Sequence, residues 1–206
     1  MKKINLGCGP SGVNGWINYD WGLLPFLNKF NLLKFAVKLG LIDKSYLTKW
    51  PKFDLVDIRK RLPVDDDSIN FIYCSHVLEH FERWEAKNIL MESKRVLTKG
   101  GVIRIVLPDI DKLVKKYEEI GPDEFCRIWW GFDKDKVSKS FFGKLSRYFI
   151  RGHQWMYNKK SFKNLLRECG FKNIKFCSLG KGRLPNLDKL DIKSHKDLSF
   201  YCEVEK

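Results

Sequence analysis

An α/β fold with a mostly parallel sheet is predicted by two features of the 206-residue sequence. Short apolar runs of strand type alternate with segments of helical periodicity, which is typical of strands joined by crossover helices. The first run, Lys3–Leu6, ends in the turn Gly7-Cys8-Gly9, where the absence of Cβ atoms allows a sharp bend and close approach by a ligand. The length suits one domain, over residues 1–206, with a substantial core.

Seven segments have the length and composition of strands. In order, they are Lys3–Leu6, Ile17–Tyr19, Phe53–Val56, Ile69–Cys74, Val102–Leu107, Ile174–Leu179 and Leu198–Val204. Two helices are well marked between them. The first begins near Arg83 and is expected to stop at Lys99-Gly100-Gly101, directly before the fifth strand. The second spans Ser161–Cys169, with Ser161 as its N-cap and Gly170 as its stop.

Two segments exceed what a minimal sheet needs. Residues 21–52 form an apolar helical insertion in which bulky side chains alternate with lysines, and residues 121–155 form an aromatic insertion on the substrate side. Both follow strands at the edge where ligands bind in such sheets, so we expect each to roof a pocket. Extra core packing is the alternative for both. For residues 21–50 a third interpretation is peripheral contact with a membrane surface.

Two acidic residues mark the ends of the second and third predicted strands. Asp20 follows Ile17–Tyr19, and Asp57 follows Phe53–Val56. Because parallel strands end at the same edge of a sheet, both carboxylates and the glycine turn are expected to lie together, where they could hold a nucleoside. A turn or capping aspartate, or a surface acid, is the simpler alternative for each.

Composition limits the remaining classes. The formal charge of +14 invites a nucleic-acid partner, but the lysines are spread along the whole chain, which favours a solvated basic surface. Acidic substrates and anionic membranes stay open as partners. The six cysteines are scattered without any C-x-x-C pair, so we predict reduced thiols and neither disulfides nor a metal site. Without a signal peptide or membrane-spanning run, a cytoplasmic protein is expected.

Seven short stretches in the first half of the chain carry a family resemblance. They are Ile4–Pro10, Gly15–Asp20, Asp54–Ile58, Leu62–Val64, Ser68–Tyr73, His76–His80 and Arg95–Gly101. Jointly and in this order they resemble class I S-adenosylmethionine-dependent methyltransferases, above all the small group often labelled methyltransferase type 11. The resemblance implies a Rossmann-like sheet of seven strands, six parallel and the last antiparallel, with flanking helices.

The first crossover departs from the usual pattern. Only Pro10–Gly15 separates the glycine turn from the second strand, so the first helix is abbreviated. This argues against a nicotinamide dinucleotide site, which needs a helix N-terminus for its pyrophosphate. S-adenosylmethionine has no phosphate and tolerates the loss.

The resemblance implies a site for S-adenosylmethionine, with S-adenosylhomocysteine as the product. Asp20 would accept hydrogen bonds from the ribose hydroxyls, and Asp57 from the adenine amino group, with the backbone N–H of Ile58 at a ring nitrogen. The other residues expected at the cofactor are Leu6, Gly7, Cys8, Gly9, Trp21, Cys74, Ser75 and His76.

Catalysis of methyl transfer needs little beyond alignment, because the reaction is a single displacement. A base is required only when the acceptor must lose a proton, as a hydroxyl does. His76, His153 and Asp109 are the candidates. For each histidine, a capping or packing role is the alternative.

The stretch His76–His80 also reads H-x-x-E-H, the signature of inverted zinc peptidases. Two histidines four residues apart on a helix can bind zinc, with the glutamate as base. Its position directly after the strand Ile69–Cys74 instead favours the methyltransferase pattern over a zinc hydrolase.

The sequence thus predicts methyl transfer to a small-molecule, sugar or glycan acceptor. An RNA or protein methyltransferase that uses the basic surface is one alternative, although nucleic acid is not the favoured partner. A non-catalytic module with the same fold is the other. No oligomeric state is predicted.

Overall fold

A computed structural model describes residues 1–42, 44–130 and 152–206 of the chain. Seven strands form a single sheet in the order β3-β2-β1-β4-β5-β7-β6. Their bounds are β1 Lys3–Leu6, β2 Ile17–Asp20, β3 Asp54–Leu55, β4 Ile69–Ser75, β5 Leu97–Pro108, β6 Asn173–Cys177 and β7 Ser199–Glu205. Strand β7 is antiparallel to both of its neighbours, and the other pairs are parallel. The predicted sheet, with six strands in one direction and the last reversed, is confirmed.

Helices connect and flank these strands. Their bounds are α1 Leu23–Lys29, α2 Leu33–Lys38, α3 Arg83–Val96, α4 Ile110–Ile120, α5 Pro122–Trp130, α6 Lys159–Glu168 and α7 Leu187–Leu190. Only the short 3-10 turn Gly9–Ser11 lies between β1 and β2, as the abbreviated first helix predicts. Among the helices in the described part of the chain, none has both the length and the apolar content to cross a membrane.

The junction between α3 and β5 differs from the prediction. Helix α3 ends at Val96 and the strand begins at Leu97, so Lys99-Gly100-Gly101 lies inside β5 and does not stop the helix. The register of β4 against β5 shifts between Ile69 and Phe71, beside these glycines. A Cβ on Gly101 would lie 3.1 Å from the carbonyl oxygen of Ile69. The glycines therefore allow β4 and β5 to pair closely at the point where their register shifts.

Helix α6 begins earlier than predicted. Its N-cap is Asn158, whose side chain accepts a hydrogen bond of 2.8 Å from the backbone N–H of Ser161. Ser161 in turn accepts one of 3.0 Å from the N–H of Asn158, which completes a capping box. The assignment of Ser161 as N-cap was wrong because both residue types suit that position. Gly170, at φ +77°, ends the helix region as expected.

The core lies on both faces of the sheet. On one face, α3 and α6 cover the side chains of β1, β4 and β5, with buried residues such as Ile72, Ile103 and Leu165. On the other face, Tyr73 and Val106 pack against the segment that carries α7. Successive strand residues thus contribute to opposite layers, which is the two-fold alternation that a sheet buried on both faces requires.

Of the two predicted insertions, the first is helical. It contains α1 and α2 and packs around a small apolar cluster of its own, with Leu33, Ala36 and Ile42 buried. The second is described only at its ends, through α5 and from residue 152, because residues 131–151 lie outside the described residues.

Candidate functional site

The glycine turn is fastened to the end of β2 by three hydrogen bonds. The backbone N–H groups of Gly7 and Cys8 donate to the carbonyl oxygen of Tyr19 at 2.9 and 3.1 Å. The N–H of Gly9 donates to Oδ2 of Asp20 at 2.6 Å. Both glycines have positive φ angles, +63° and +50°. A Cβ on Gly7 would lie 2.4 Å from Val77 Cγ2, whereas at Gly9 nothing lies within 4 Å of that position. The turn is therefore tightly packed on one side and open on the other.

Asp20 is held in a fixed orientation at the mouth of this turn. Its Oδ1 accepts a hydrogen bond of 2.7 Å from the backbone N–H of Trp21, in addition to the bond from Gly9. Burial raises the pKa of Asp20, while these two N–H donors act in the opposite direction. A carboxylate has about four acceptor positions, so capacity for further donors remains.

Asp57 lies two residues beyond β3 and is paired with Arg59. The guanidinium donates to both carboxylate oxygens, from Nε and Nη2, each at 2.8 Å. Hydrogen bonding from Arg59 holds the pKa of Asp57 below its usual value. The intervening Ile58 is buried. Sequence reasoning missed Arg59, whose signal is its place in the same loop as Asp57.

These residues surround one cavity of about 520 Å³ at the carboxyl edge of the sheet. It is lined by Gly7, Gly9, Asp20, Trp21, Gly22, Leu23, Leu24, Pro25, Asp57, Ile58, Arg59, His76, Val77, His80 and Phe81. Seven of the predicted site residues are among them: Gly7, Gly9, Asp20, Trp21, Asp57, Ile58 and His76. Residues 21–25, at the start of the 21–52 insertion, line one wall of the cavity, and His80 of the H-x-x-E-H motif lines it as well.

Four predicted cofactor residues are next to the lining without being part of it. Leu6 and Cys74 are buried at the ends of β1 and β4, within the apolar core. Cys8 is buried beside Asp20, and burial together with that carboxylate raises the pKa of its thiol to about 12. Ser75 is the last residue of β4. Strand ends alternate their side chains between core and cavity, which explains why only some neighbours reach the cavity.

Asp109, a predicted base, acts as a helix cap. It is buried at the N-terminus of α4, and its side chain accepts a hydrogen bond of 3.3 Å from the N–H of Asp111. Burial raises the pKa of Asp109. It is not among the described residues that line the 520 Å³ cavity.

The four histidines of the chain form one cluster with Glu79, which follows β4. His76 Nδ1 lies 3.3 Å from Glu79 Oε1, and the rings of His76 and His195 contact each other with centroids 3.8 Å apart and planes tilted by 38°. The rings of His80 and His153 meet edge to face at 4.9 Å. Burial lowers the pKa of His153, and burial together with His76 lowers that of His195 to about 4.

Glu79 is the buried centre of this cluster, with only 1% of its surface exposed. Neither of its carboxylate oxygens receives a hydrogen bond from the described residues. Ligand-type atoms of Glu79, His80 and His153 all lie within 4.8 Å of one another. Sequence reasoning treated the two halves of this group separately, because His153 lies far along the chain from the H-x-x-E-H motif.

The motif itself does not lie on an α-helix. His76 has a left-handed φ of +54°, and the 3-10 turn Leu78–His80 follows. The paired histidines of a zinc-peptidase helix therefore have no counterpart here, and the hydrolase alternative loses its geometric basis. A positive φ on a non-glycine residue is strained and is frequent at functional sites.

His153 also borders a second cavity, of about 270 Å³, with mostly apolar walls. The lining is Ile110, Leu113, Val114, Tyr117, Phe125, His153 and Met156. The histidine cluster thus lies between the cavity at the glycine turn and an apolar pocket next to α4 and α5.

Comparison with known proteins places this geometry in context. Residues 36–175 match the family model described as a methyltransferase domain. The chain is also 31% identical, over 133 residues, to an uncharacterized protein of Methanocaldococcus jannaschii, a match that covers 64% of this chain and 52% of that protein. The match thus spans about half the length of that relative.

Solved structures share the fold at low sequence identity. A SAM-dependent methyltransferase of Thermotoga maritima superposes with a TM-score of 0.52 at 14% identity, covering 100% of this chain and 82% of that chain. A SAM-dependent methyltransferase of Methanosarcina mazei superposes with a TM-score of 0.52 at 13% identity, covering 100% of this chain and 92% of that chain. A SAM-dependent methyltransferase of Archaeoglobus fulgidus superposes with a TM-score of 0.51 at 14% identity, covering 100% of this chain and 86% of that chain. The predicted Rossmann-like architecture is confirmed by these similarities.

Proposed function

Because the chain belongs to the family of methyltransferase domains, with S-adenosylmethionine as its cofactor, we propose that it methylates a small-molecule or sugar-containing acceptor. One observation carries the proposal: the glycine turn, Asp20 and Asp57 line a single cavity that continues to His76 and His80. The residues suited to the nucleoside of the cofactor and those suited to the acceptor thereby line one continuous cavity.

The cavity suits the cofactor in size and chemistry. Its volume of about 520 Å³ lies within the range of roughly 300–1,000 Å³ typical of cofactor sites. The open side of Gly9 leaves room for a ligand against the backbone. The partly used carboxylate of Asp20 fits a pair of ribose hydroxyls. Asp57, fixed by Arg59, and the backbone of Ile58 suit the adenine. When bound, the cofactor supplies an activated methyl group.

His76 is our candidate for the base on the acceptor side. Its Nε2 lies 3.0 Å from Ser199 Oγ, within hydrogen-bond distance, and its Nδ1 faces Glu79 Oε1 at 3.3 Å. Because His76 also lines the cavity, an acceptor hydroxyl or a water that replaces Ser199 at Nε2 would give its proton to that nitrogen. Proton removal by His76 would add to the rate gained when the cavity walls hold the cofactor and the acceptor in line.

Calorimetric titration with S-adenosylhomocysteine tests the cofactor site. Asp20→Ala should weaken binding by about 1–3 kcal/mol, or roughly 5- to 150-fold, because the ribose hydroxyls lose their acceptor. The control is Asp54→Ala, an exposed aspartate on the neighbouring strand whose side chain pairs only loosely with Lys29 at 3.7 Å. Equal affinities for the two variants would contradict the assignment of Asp20.

The surface of the 21–52 insertion bears on the nature of the acceptor. Phe26, Phe30 and Phe35 are 48%, 56% and 60% exposed. Residues 21–50 also hold five lysines but only one acid, Asp43. Bulky apolar groups mixed with cations suit the interface of an anionic membrane. We therefore propose that this segment rests on such a membrane, which fits an acceptor carried on a lipid, such as a lipid-linked glycan.

Vesicle sedimentation tests the membrane contact. The triple variant Phe26→Ser/Phe30→Ser/Phe35→Ser should bind phosphatidylglycerol-containing vesicles about tenfold or more weakly, because the buried apolar area is lost. The control, Trp84→Ser/Met91→Ser, removes equally exposed apolar groups on α3 and should bind as the wild type does. Absence of wild-type binding to anionic vesicles, together with steeply salt-dependent binding to RNA, would instead favour a nucleic-acid partner.

A further inference from the structure

Glu79, His80 and His153 are brought together by backbone hydrogen bonds. The carbonyl oxygen of Glu79 accepts from the N–H groups of Gln154 and Trp155, at 2.7 and 3.2 Å. These bonds fasten the segment that starts at residue 152 to the turn after β4. As a result, the imidazole of His153 meets that of His80 beside the carboxylate of Glu79.

The chemistry of this group is that of a metal site. Two imidazoles and one carboxylate form a common protein ligand set for divalent transition metals, and three protein ligands leave positions open for a substrate. Metal–ligand bonds of about 2.0–2.2 Å need donor atoms within roughly 4 Å of one another. The present separations, within 4.8 Å, are close to that arrangement.

The burial of Glu79 gives independent support. Its carboxylate is 1% exposed, and the described residues offer it no hydrogen bond. Burial of a charge without such bonds is strongly unfavourable unless a counter-charge is present. Among the described residues, His76 faces Glu79 with Nδ1 3.3 Å from Oε1, without a hydrogen bond to that oxygen. A metal ion on the other side of the carboxylate would supply a counter-charge.

We propose that Glu79, His80 and His153 bind one divalent transition-metal ion, such as Zn²⁺, whose open positions hold a hydroxyl oxygen of the methyl acceptor. That the metal ion holds the methyl acceptor rests on the proposed function. The site lies between the cofactor cavity, which His80 lines, and the apolar pocket that His153 borders. In the reaction, the acceptor hydroxyl gives its proton to His76 and its oxygen bonds to the methyl carbon. The electron pair of the broken carbon–sulfur bond stays on sulfur.

Metal binding is measured on the full chain without an affinity tag, after treatment with a chelator. Equilibrium dialysis against Zn²⁺, and the absorbance of bound Co²⁺, give stoichiometry and affinity. We expect one equivalent per chain in the wild type, and a loss of at least about 10- to 100-fold in affinity for Glu79→Gln and for His153→Gln. The matched control is His195→Gln, which removes a histidine of the same cluster and keeps all three ligands.

No binding of either ion by the wild type, or equal binding by the wild type and both ligand variants, would overturn the metal site. The partly exposed His153 gives a second test if Glu79→Gln does not fold. Titration of the same proteins with S-adenosylhomocysteine, without metal, checks the proposed function separately. Binding of the nucleoside without metal binding refutes this inference alone. Metal binding without nucleoside binding refutes the proposed function, and with it the role of the metal in holding the acceptor, but leaves the metal site itself standing.

Discussion

Among the buried charged groups in the described part of the chain, Arg104 and Glu79 differ in how completely they are hydrogen-bonded and ion-paired. Arg104 on β5 is fully buried and ion-paired with Asp191 at 2.6 Å and Glu203 at 3.2 Å. Its guanidinium makes five hydrogen bonds, to these carboxylates and to the carbonyl oxygens of Ser178 and Lys181. That number matches the full donor capacity of an arginine.

Glu79 is equally buried, yet its carboxylate accepts no hydrogen bond from the described residues. The Arg104 cluster is complete within the chain and ties the C-terminal segment to the sheet. The Glu79 cluster has the ligands for a cation and lies at the cavity where chemistry is proposed. Burial alone therefore does not mark a functional group, whereas a buried charge without hydrogen bonds is a candidate for one.

The greatest loss of stability is expected from a change in the Arg104 cluster, whose charges are paired. Arg104→Met should lower the free energy of unfolding by about 3–5 kcal/mol, because Asp191 and Glu203 are left buried without a cation. Urea denaturation measures the change. Arg183→Ala, which removes an exposed pair with Glu205, is the control and should cost only about 0–1 kcal/mol. A loss below about 1 kcal/mol for Arg104→Met would show that the two clusters do not differ as described.

The next effect depends on metal. Zn²⁺ at about one hundred times its dissociation constant should stabilise the wild-type chain by about 2.7 kcal/mol, because the ion binds only the folded state. Glu79→Gln should show little of this gain. Thermal unfolding at matched ion concentration, with His195→Gln as control, gives the comparison. An equal gain in all three proteins would place the ion elsewhere.

A smaller effect of opposite sign is expected without metal. Glu79→Gln removes an uncompensated buried charge and keeps the shape, so the metal-free variant should match the wild type or exceed it by about 0–2 kcal/mol. Urea denaturation in the presence of a chelator measures it. A marked destabilisation would mean that the groups around Glu79 already compensate its buried charge.

The smallest effect tests whether the cluster depends on its neighbouring helix. Asn158→Ala removes the N-cap of α6 and should cost about 1 kcal/mol of stability. Zn²⁺ affinity should remain that of the wild type, because His153 is held by the bonds of Gln154 and Trp155 to Glu79. A parallel loss of affinity in equilibrium dialysis would show that α6 positions the ligand.

The gathering of the glycine turn and Asp20 at one cavity was predictable from sequence, whereas the contact of His153 with the H-x-x-E-H motif was not. Gly7, Gly9 and Asp20 each lie at the end of a strand that an apolar run identifies, and parallel strands end at one edge by geometry. His80 meets His153, and His76 meets His195, only through tertiary folding, so spacing along the chain carried no signal for this cluster. Local ambiguity explains the smaller errors, since Asn158 and Ser161 are equally good capping residues.

We propose that the carboxyl edge of the sheet holds the cofactor through the glycine turn and Asp20. A crystal structure of the chain with S-adenosylhomocysteine would test this proposal. We expect the ribose hydroxyls within hydrogen-bond distance of Asp20, with the amino-acid part of the ligand against Gly7 and Gly9. A nucleoside bound elsewhere, or a ribose that makes no contact with Asp20, would contradict it.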